Sequence, residues 1–182
     1  MISEHQIKLK PTNNKARVCF FALGVAAALV FALYLYMRNN GIDKASLVGL
    51  LGLLLLTASL TFYTKYLSSI YYYEIAKDPE GTPLFLVKQI VGKRGSALCR
   101  IALYEIRSVE RTTRAERKAH KTPLDHRKYS YTPTFMPAVL YRLTTASRYE
   151  KSEIYIEISD DFATLFKSYI EEARAISAED DE

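Results

Sequence analysis

Two long uncharged apolar runs near the N-terminus constrain the fold more than any other feature of the chain. The first extends over residues 18–37 and the second over residues 45–64, and neither contains a charged side chain. At 1.5 Å per helical residue, twenty residues span about 30 Å, which is the thickness of the hydrocarbon core of a bilayer. The sequence therefore predicts two membrane-spanning helices within residues 18–66.

The connection between the two runs predicts a hairpin. Only residues 38–44 separate them, and Asn39-Asn40-Gly41 is typical of a turn. The first run is longer than the apolar part of a secretory signal, and no Ala-x-Ala cleavage site follows it, so we expect it to be retained. Tyrosines cluster near the ends of both runs, as is typical of membrane interfaces.

Positive charge on the outer flanks of the hairpin predicts its orientation. The outer flanks carry seven basic side chains and the loop carries two: Lys8, Lys10, Lys15, Arg17, Lys65, Lys77 and Lys88 against Arg38 and Lys44. Since basic flanks stay in the cytoplasm, we expect a multi-pass protein of the inner cell membrane with both termini cytoplasmic. Residues 1–17 are then a cytoplasmic N-terminal segment.

The two spans are predicted to anchor the protein rather than to transport. Neither contains Asp, Glu, Lys, Arg or His, the residues that mark proton and ion pathways. Small residues instead predict close helix packing, within the hairpin or between copies of the chain in a homo-oligomer. These residues are Gly24, Ala28, Ala32, Gly49 and Gly52.

From residue 71 the pattern changes to short strands separated by turns. Seven strands are predicted, over residues 72–76, 84–91, 96–101, 106–112, 128–135, 139–145 and 153–158. In the last strand the isoleucines alternate with Glu153, Tyr155 and Glu157, which predicts the isoleucines in the core and the other three in solvent. A helix with an apolar stripe follows from Ser159, and residues 177–182 form an acidic tail.

Two short passages carry a family resemblance: the turn Gly92-Lys93-Arg94-Gly95 and the strand Ile106-Arg107-Ser108-Val109-Glu110. With the two preceding spans, they make the chain similar to bacterial PH-like (bPH) membrane proteins over roughly residues 17–175. The resemblance implies an α+β fold: a transmembrane helical hairpin, then a cytoplasmic PH-like seven-stranded antiparallel barrel or sandwich over residues 71–176, capped by a C-terminal helix. It implies no enzymatic activity. A long basic insertion after the fourth strand departs from the family's compact pattern.

That insertion, residues 111–128, has a net charge of +5. Its basic residues are Arg111, Arg114, Arg117, Lys118, Lys121, Arg127 and Lys128. An anionic leaflet attracts each nearby Lys or Arg by about 1 kcal/mol. Four interpretations stay open: a solvated loop or short exposed helix, contact with anionic lipid headgroups, contact with an acidic protein partner, and a clasp by the chain's own residues 179–182. Nucleic acid is not expected, because the segment has no aromatic side chains on which bases could stack.

An aromatic segment follows, and it predicts a sheet edge. Pro133 cannot donate to a strand ladder, so this strand should lie at an edge or bulge there. Its aromatic side chains, Tyr129, Tyr131 and Phe135, either pack over a barrel corner or line a docking groove beside the C-terminal helix, where an extended peptide would add as a strand.

The remaining residues point away from metal, redox and catalytic chemistry. His120 and His126 stand six apart with no further ligands, so we expect solvated histidines, and Cys19 and Cys99 are expected to stay reduced. No catalytic motif is present, so no enzyme and no cofactor are predicted. The expected role is a membrane-anchored scaffold that presents the basic segment and the aromatic edge to a protein partner or the anionic leaflet. The alternative is an accessory subunit of a larger membrane complex, recognised through its hairpin.

Overall fold

The chain forms two compact units. The computed structural model describes residues 2–9, 14–146 and 151–179. Met1–Lys10 and Ile70–Glu182 form one unit, here called the sheet unit, and Pro11–Ser69 form the other, the helical unit. The fold class is α+β: two apolar helices near the N-terminus are followed by two sheets and a final helix.

The helical unit consists of two helices that match the predicted apolar runs. Helix α1 spans Asn14–Asn39 and helix α2 spans Ala45–Tyr66. Both are long and apolar enough to cross a membrane. Many of their apolar side chains are exposed, including Leu29 at 67% and Leu47 at 63%. Water penalises such exposure and lipid does not, so the two helices indicate a membrane protein.

Two of the predicted small residues allow aromatic rings to approach α2. A Cβ atom added at Gly49 would lie 3.0 Å from the ring of Tyr34, and one added at Gly52 would lie 3.2 Å from the ring of Phe31. Real Cβ atoms rarely come this close to a neighbour. Both glycines therefore leave room for rings of α1 in the contact between the two helices.

The predicted small residues of α1 have different surroundings. Gly24 faces Ser59 of α2, with 3.9 Å from its would-be Cβ atom to Ser59 Oγ. Ala28 and Ala32 are exposed, and the neighbouring Ala27 is buried. Gly24, Gly49 and Gly52 therefore lie in the contact between the two helices. Ala28 and Ala32 lie on a face that the hairpin leaves uncovered.

The first sheet contains an unexpected strand from the N-terminal segment. Its strands are β1 (Ile2–Leu9), β2 (Ser69–Lys77), β3 (Pro83–Val91) and β4 (Arg94–Ala102), in that spatial order. Strand β1 runs antiparallel to β2, with Ile7 opposite Tyr73. The prediction of seven strands is therefore wrong, because there are eight in the described residues. An edge strand needs few buried side chains, so β1 carries only a weak apolar pattern.

The second sheet departs from the predicted all-antiparallel arrangement. Its strands are β5 (Ile106–Thr113), β6 (His126–Tyr131), β7 (Val139–Ala146) and β8 (Lys151–Ile156), in the order β5-β7-β8-β6. Strand β6 runs parallel to β8. Parallel partners need a long connection, and the chain between β6 and β8 includes all of β7. The strand before Pro133 lies at a sheet edge, as predicted.

The predicted C-terminal helix is confirmed as α4 (Asp160–Glu179). Its first turn is capped by Ser159, whose Oγ accepts a hydrogen bond from the backbone N–H of Phe162 at 3.2 Å. The predicted apolar stripe packs into the core, where the ring of Phe166 lies 4.7 Å from that of Phe85 on β3. Residues 177–179 belong to the helix. Residues 180–182 of the predicted acidic tail lie outside the described residues. The predicted clasp of the basic segment by residues 179–182 therefore falls mostly outside them as well.

Candidate functional site

The outer face of the second sheet, opposite to the hydrophobic core, carries a row of polar side chains. Strand register places Glu110 of β5 beside Arg142 of β7, and Arg142 beside Tyr155 of β8. The Arg142 guanidinium donates to the Glu110 carboxylate. Glu153 stands two residues before Tyr155, and β6 places Lys128 beside it. Because alternate residues of a strand share a face, these side chains form one polar surface.

Two of these side chains are buried, which contradicts the prediction that they lie in solvent. Glu153 is 2% exposed and Tyr155 is 0% exposed. One Glu153 oxygen accepts from His120 Nε2 at 2.8 Å. The other accepts from Thr122 Oγ1 at 2.9 Å and from the Tyr155 hydroxyl at 3.2 Å. The alternation of the strand is real, but the segment between β5 and β6 covers its second face.

That segment, residues 114–125, is the middle part of the predicted basic segment, residues 111–128, here called the basic insertion. Residues 111–113 end β5, and residues 126–128 begin β6. The insertion contains the short helix α3 (Arg114–Ala119), which begins with a capping box. The Thr113 hydroxyl accepts from the backbone N–H of Glu116 at 3.2 Å, and the Glu116 carboxylate accepts from the backbone N–H of Thr113 at 2.7 Å. The hydrogen bond from the backbone N–H of Thr113 is the largest cause that lowers the pKa of the Glu116 carboxyl. The insertion therefore starts with a capped helical turn.

Two basic residues of the insertion cover the ring of Tyr155. The Arg117 guanidinium lies 4.5 Å from the ring centroid, and Lys128 Nζ lies 5.0 Å from it. A cation over an aromatic face is attracted by the ring quadrupole. Arg117, which belongs to α3, therefore helps to hold the insertion on the sheet, and Lys128 of β6 places a second cation over the same ring. The charge of both residues is partly used within the fold.

His120 is a structural contact rather than the solvated histidine that was predicted. Its side chain is 32% exposed. It lies between Glu153 and Arg142, whose Nη1 is 3.0 Å from His120 Nε2 and 3.1 Å from His120 Nδ1. A carboxylate only accepts, so Nε2 donates to Glu153, and the Arg142 guanidinium lies against both nitrogens of the same ring. The histidine thus connects the insertion to two strands.

The carboxyl of Glu153 stays in its charged form although it is buried. Burial raises the pKa of this carboxyl, but the hydrogen bonds from His120 and Thr122 outweigh burial, and the pKa lies below its ordinary value. A buried carboxylate whose hydrogen bonds are satisfied is stable, whereas one without partners is costly. The insertion supplies both of these partners, so it and Glu153 stabilise one another.

The other basic residues of the insertion lie at the surface. Arg114, Lys118, Lys121 and Arg127 are exposed. Arg111 lies 3.6 Å from Asp160 at the start of α4. Arg114 and Lys118 stand four residues apart on α3, so they share one face of the helix. The structure thus divides the predicted set into residues that hold the insertion and residues that remain at its surface.

The aromatic edge contributes to packing. The rings of Tyr129 and Tyr131 stack with 6.2 Å between their centroids, and both pack against the core. Burial raises the pKa of Tyr131 to about 12. The Tyr73 hydroxyl donates to the Tyr131 carbonyl oxygen at 2.5 Å, and Phe135 is half-buried. A docking groove beside this edge stays a prediction.

Sequence reasoning missed Arg142, Thr122, Tyr155 and Glu153 because their roles depend on which segment covers the sheet. A weak signal exists: Glu153 sits in a strongly apolar strand, where a buried carboxylate needs partners.

Among the residues that the structure describes, no three His, Cys, Asp or Glu side chains are grouped so as to hold a metal ion. Chemically, the arrangement holds exposed cations on the outer face of the second sheet. No protein family, curated protein or solved structure matches the chain.

Proposed function

We propose that the chain is a membrane-anchored binding protein that acts without catalysis. Its two apolar helices cross the inner membrane as a hairpin, and its sheet unit is a PH-like domain in the cytoplasm. This domain presents the basic insertion and the aromatic edge to a protein partner or to the anionic leaflet.

One observation carries the proposal: the basic insertion is fixed on one side and cationic on the other. The buried Glu153 accepts hydrogen bonds from His120 and Thr122, which belong to the insertion. Lys118 and Lys121 of the same insertion are exposed. A cationic surface that is held in place loses less conformational entropy on binding than a mobile loop does. The arrangement is therefore suited to binding an anionic surface.

Strand pairing supports the proposed topology. Strand β1 precedes the hairpin and β2 follows it, yet they are hydrogen-bonded neighbours. Strands can pair only on one side of a membrane, so an even number of spans must separate them. The two helices α1 and α2 meet that condition. The two four-stranded sheets and the closing helix α4 support the PH-like assignment.

The topology predicts which positions react with a membrane-impermeant maleimide. In a chain with Cys19→Ser and Cys99→Ser, Ile42→Cys in the loop should react in intact spheroplasts. Gln6→Cys in β1 and Glu171→Cys in α4 should react only after permeabilisation. All three positions are exposed, so differences report sidedness and not burial. Labelling of position 6 from outside would contradict the proposed orientation.

Photocrosslinking in native membranes tests the binding role. A photoreactive amino acid replaces Lys118 in the insertion, and the matched control replaces Lys93, an exposed lysine in the turn between β3 and β4. We expect adducts with a lipid or with one protein several-fold above the control, because the insertion is the contact surface. Arg114→Gln with Lys121→Gln should lower their yield. Equal yields at both positions would overturn the proposal.

An alternative role as an accessory subunit of a larger complex rests on one feature of the helical unit. Ala28 and Ala32 are exposed on α1, and small residues allow close approach of another helix in a membrane. The photoreactive amino acid at Ala32 distinguishes the two roles. Protein adducts from position 32, with none from position 118, would favour recognition through the hairpin.

A further inference from the structure

A single leucine stands out in the sheet unit because it is completely exposed. Leu124 lies in the basic insertion, between α3 and β6, and its relative exposure is 108%. The next most exposed large apolar residue described in the sheet unit, Ile176, is 50% exposed. An apolar side chain at the surface is common, but one that no neighbour covers buries no apolar area when the chain folds.

The turn that carries Leu124 is held on both sides. Before it, Thr122 donates to the buried Glu153 carboxylate at 2.9 Å. After it, Asp125 accepts from Lys151 Nζ at 3.1 Å, and His126 donates its backbone N–H to the Pro123 carbonyl oxygen at 3.0 Å. Leu124 is therefore presented at the tip of an anchored turn.

The charge around this tip is positive. Lys121 and Arg127 flank Leu124 at three residues on either side, and Lys118 is exposed on α3. The two acids of the insertion are both engaged: Asp125 with Lys151, and Glu116 in the capping box. The hydrogen bond from Lys151 lowers the pKa of Asp125. The insertion thus combines an apolar tip with a cationic surround.

We propose that Leu124 inserts into the interface of an anionic bilayer while Lys118, Lys121 and Arg127 contact its headgroups. This inference rests on the proposed function and names the occupant of the basic insertion. An anionic bilayer accepts an apolar side chain below a layer of negative charge without any matching pocket. An acidic protein partner would satisfy the cations, but it would also need a cavity shaped for this leucine.

The chain itself supports the choice of a membrane. Helices α1 and α2 are apolar enough to cross a bilayer, and they are covalently linked to the sheet unit. A tethered group experiences a high effective concentration of the surface to which it is tethered. One inserted side chain with a few cations is then sufficient, although it would bind weakly from solution.

The absence of tryptophan from the chain allows a direct test. The full-length variant Leu124→Trp has a single tryptophan, which can be excited without exciting tyrosine. It is reconstituted in vesicles of phosphatidylcholine with or without phosphatidylglycerol, with brominated acyl chains as quenchers. Both leaflets have the same composition, so the orientation of the protein does not affect the result.

We expect blue-shifted and strongly quenched emission in the vesicles that contain phosphatidylglycerol, and water-exposed emission in phosphatidylcholine alone. Adding Lys118→Gln and Lys121→Gln should lower the ratio of inserted to free tryptophan by about fivefold for each lysine. The matched control is Tyr104→Trp, at a position 42% exposed in the sheet unit. Its emission should not change with lipid charge.

Each other outcome overturns the inference. Unquenched emission at position 124 in both vesicles would show that the leucine does not insert. Equal quenching in both vesicles, or equal quenching at position 104, would show that the insertion is not directed by charge. If Lys118 still crosslinks to a protein in that case, the proposed binding function holds and its partner is a protein.

Discussion

Replacing Phe166 with alanine is expected to lower the free energy of unfolding of the sheet unit by about 3–5 kcal/mol. Phe166 is 0% exposed, and its ring lies 4.7 Å from Phe85 and 6.1 Å from Phe162. The substitution removes most of a large side chain and leaves a cavity between α4 and the first sheet. Urea unfolding of the full chain in detergent, followed by the near-ultraviolet circular dichroism of tyrosine, measures the loss.

The matched control for this substitution is Lys167→Ala, one residue further along α4. Lys167 is exposed, so its removal should change the free energy of unfolding by less than about 0.5 kcal/mol. If both variants unfolded at the same urea concentration, α4 would not close the hydrophobic core.

Helix α4 and its core contacts could be predicted because their signals are local. The cap at Ser159 and the spacing of Phe162, Phe166 and Ile170 are read within a few turns of one helix. The same is true of the two apolar helices, whose length and lack of charge define them without reference to any neighbour. The resulting α+β class follows from these elements and the short strands between them.

Strand β1 could not be predicted in the same way, because its partner is distant in sequence. Ile7 pairs with Tyr73, and the whole helical hairpin lies between these two residues in the sequence. His5 and Gln6 are exposed, so the strand shows only a weak alternation of apolar and polar residues. Strand β6 lies at the edge of the second sheet and runs parallel to β8. No local sequence pattern specifies either its partner or its direction.

The candidate site shows the same limit at the level of side chains. The sequence predicts a cationic segment at residues 111–128, and several of its basic residues are at the surface. It does not predict that His120 would contact Glu153. The alternation of apolar and polar residues in this strand places Glu153 on the side away from the core, and only the folded chain shows that the basic insertion covers that side. Burial on the second face of a strand is a tertiary property.

Replacing Glu153 with alanine is expected to destabilise the sheet unit by about 1–3 kcal/mol, the usual cost of leaving buried hydrogen-bond donors without their acceptor. The substitution leaves His120, Thr122 and Tyr155 without their common acceptor. Glu110→Ala is the matched control: it removes a carboxylate from the same cluster, but one that is 52% exposed. An exposed ion pair contributes at most about 1 kcal/mol. Equal losses for the two variants would contradict the role of Glu153.

The same carboxylate predicts how stability depends on pH. The pKa of Glu153 is lower in the folded chain than its ordinary value, which is about 4.3 in an unfolded chain. Its contribution is therefore fully present above that value, and it is lost as the pH falls through the folded pKa. Glu153→Gln keeps the shape but cannot ionise, so the difference in unfolding free energy between wild type and variant should shrink steadily as urea titrations are repeated at lower pH. A difference that stayed constant with pH would mean that Glu153 acts through its shape alone, and not as the charged acceptor that holds the basic insertion in place.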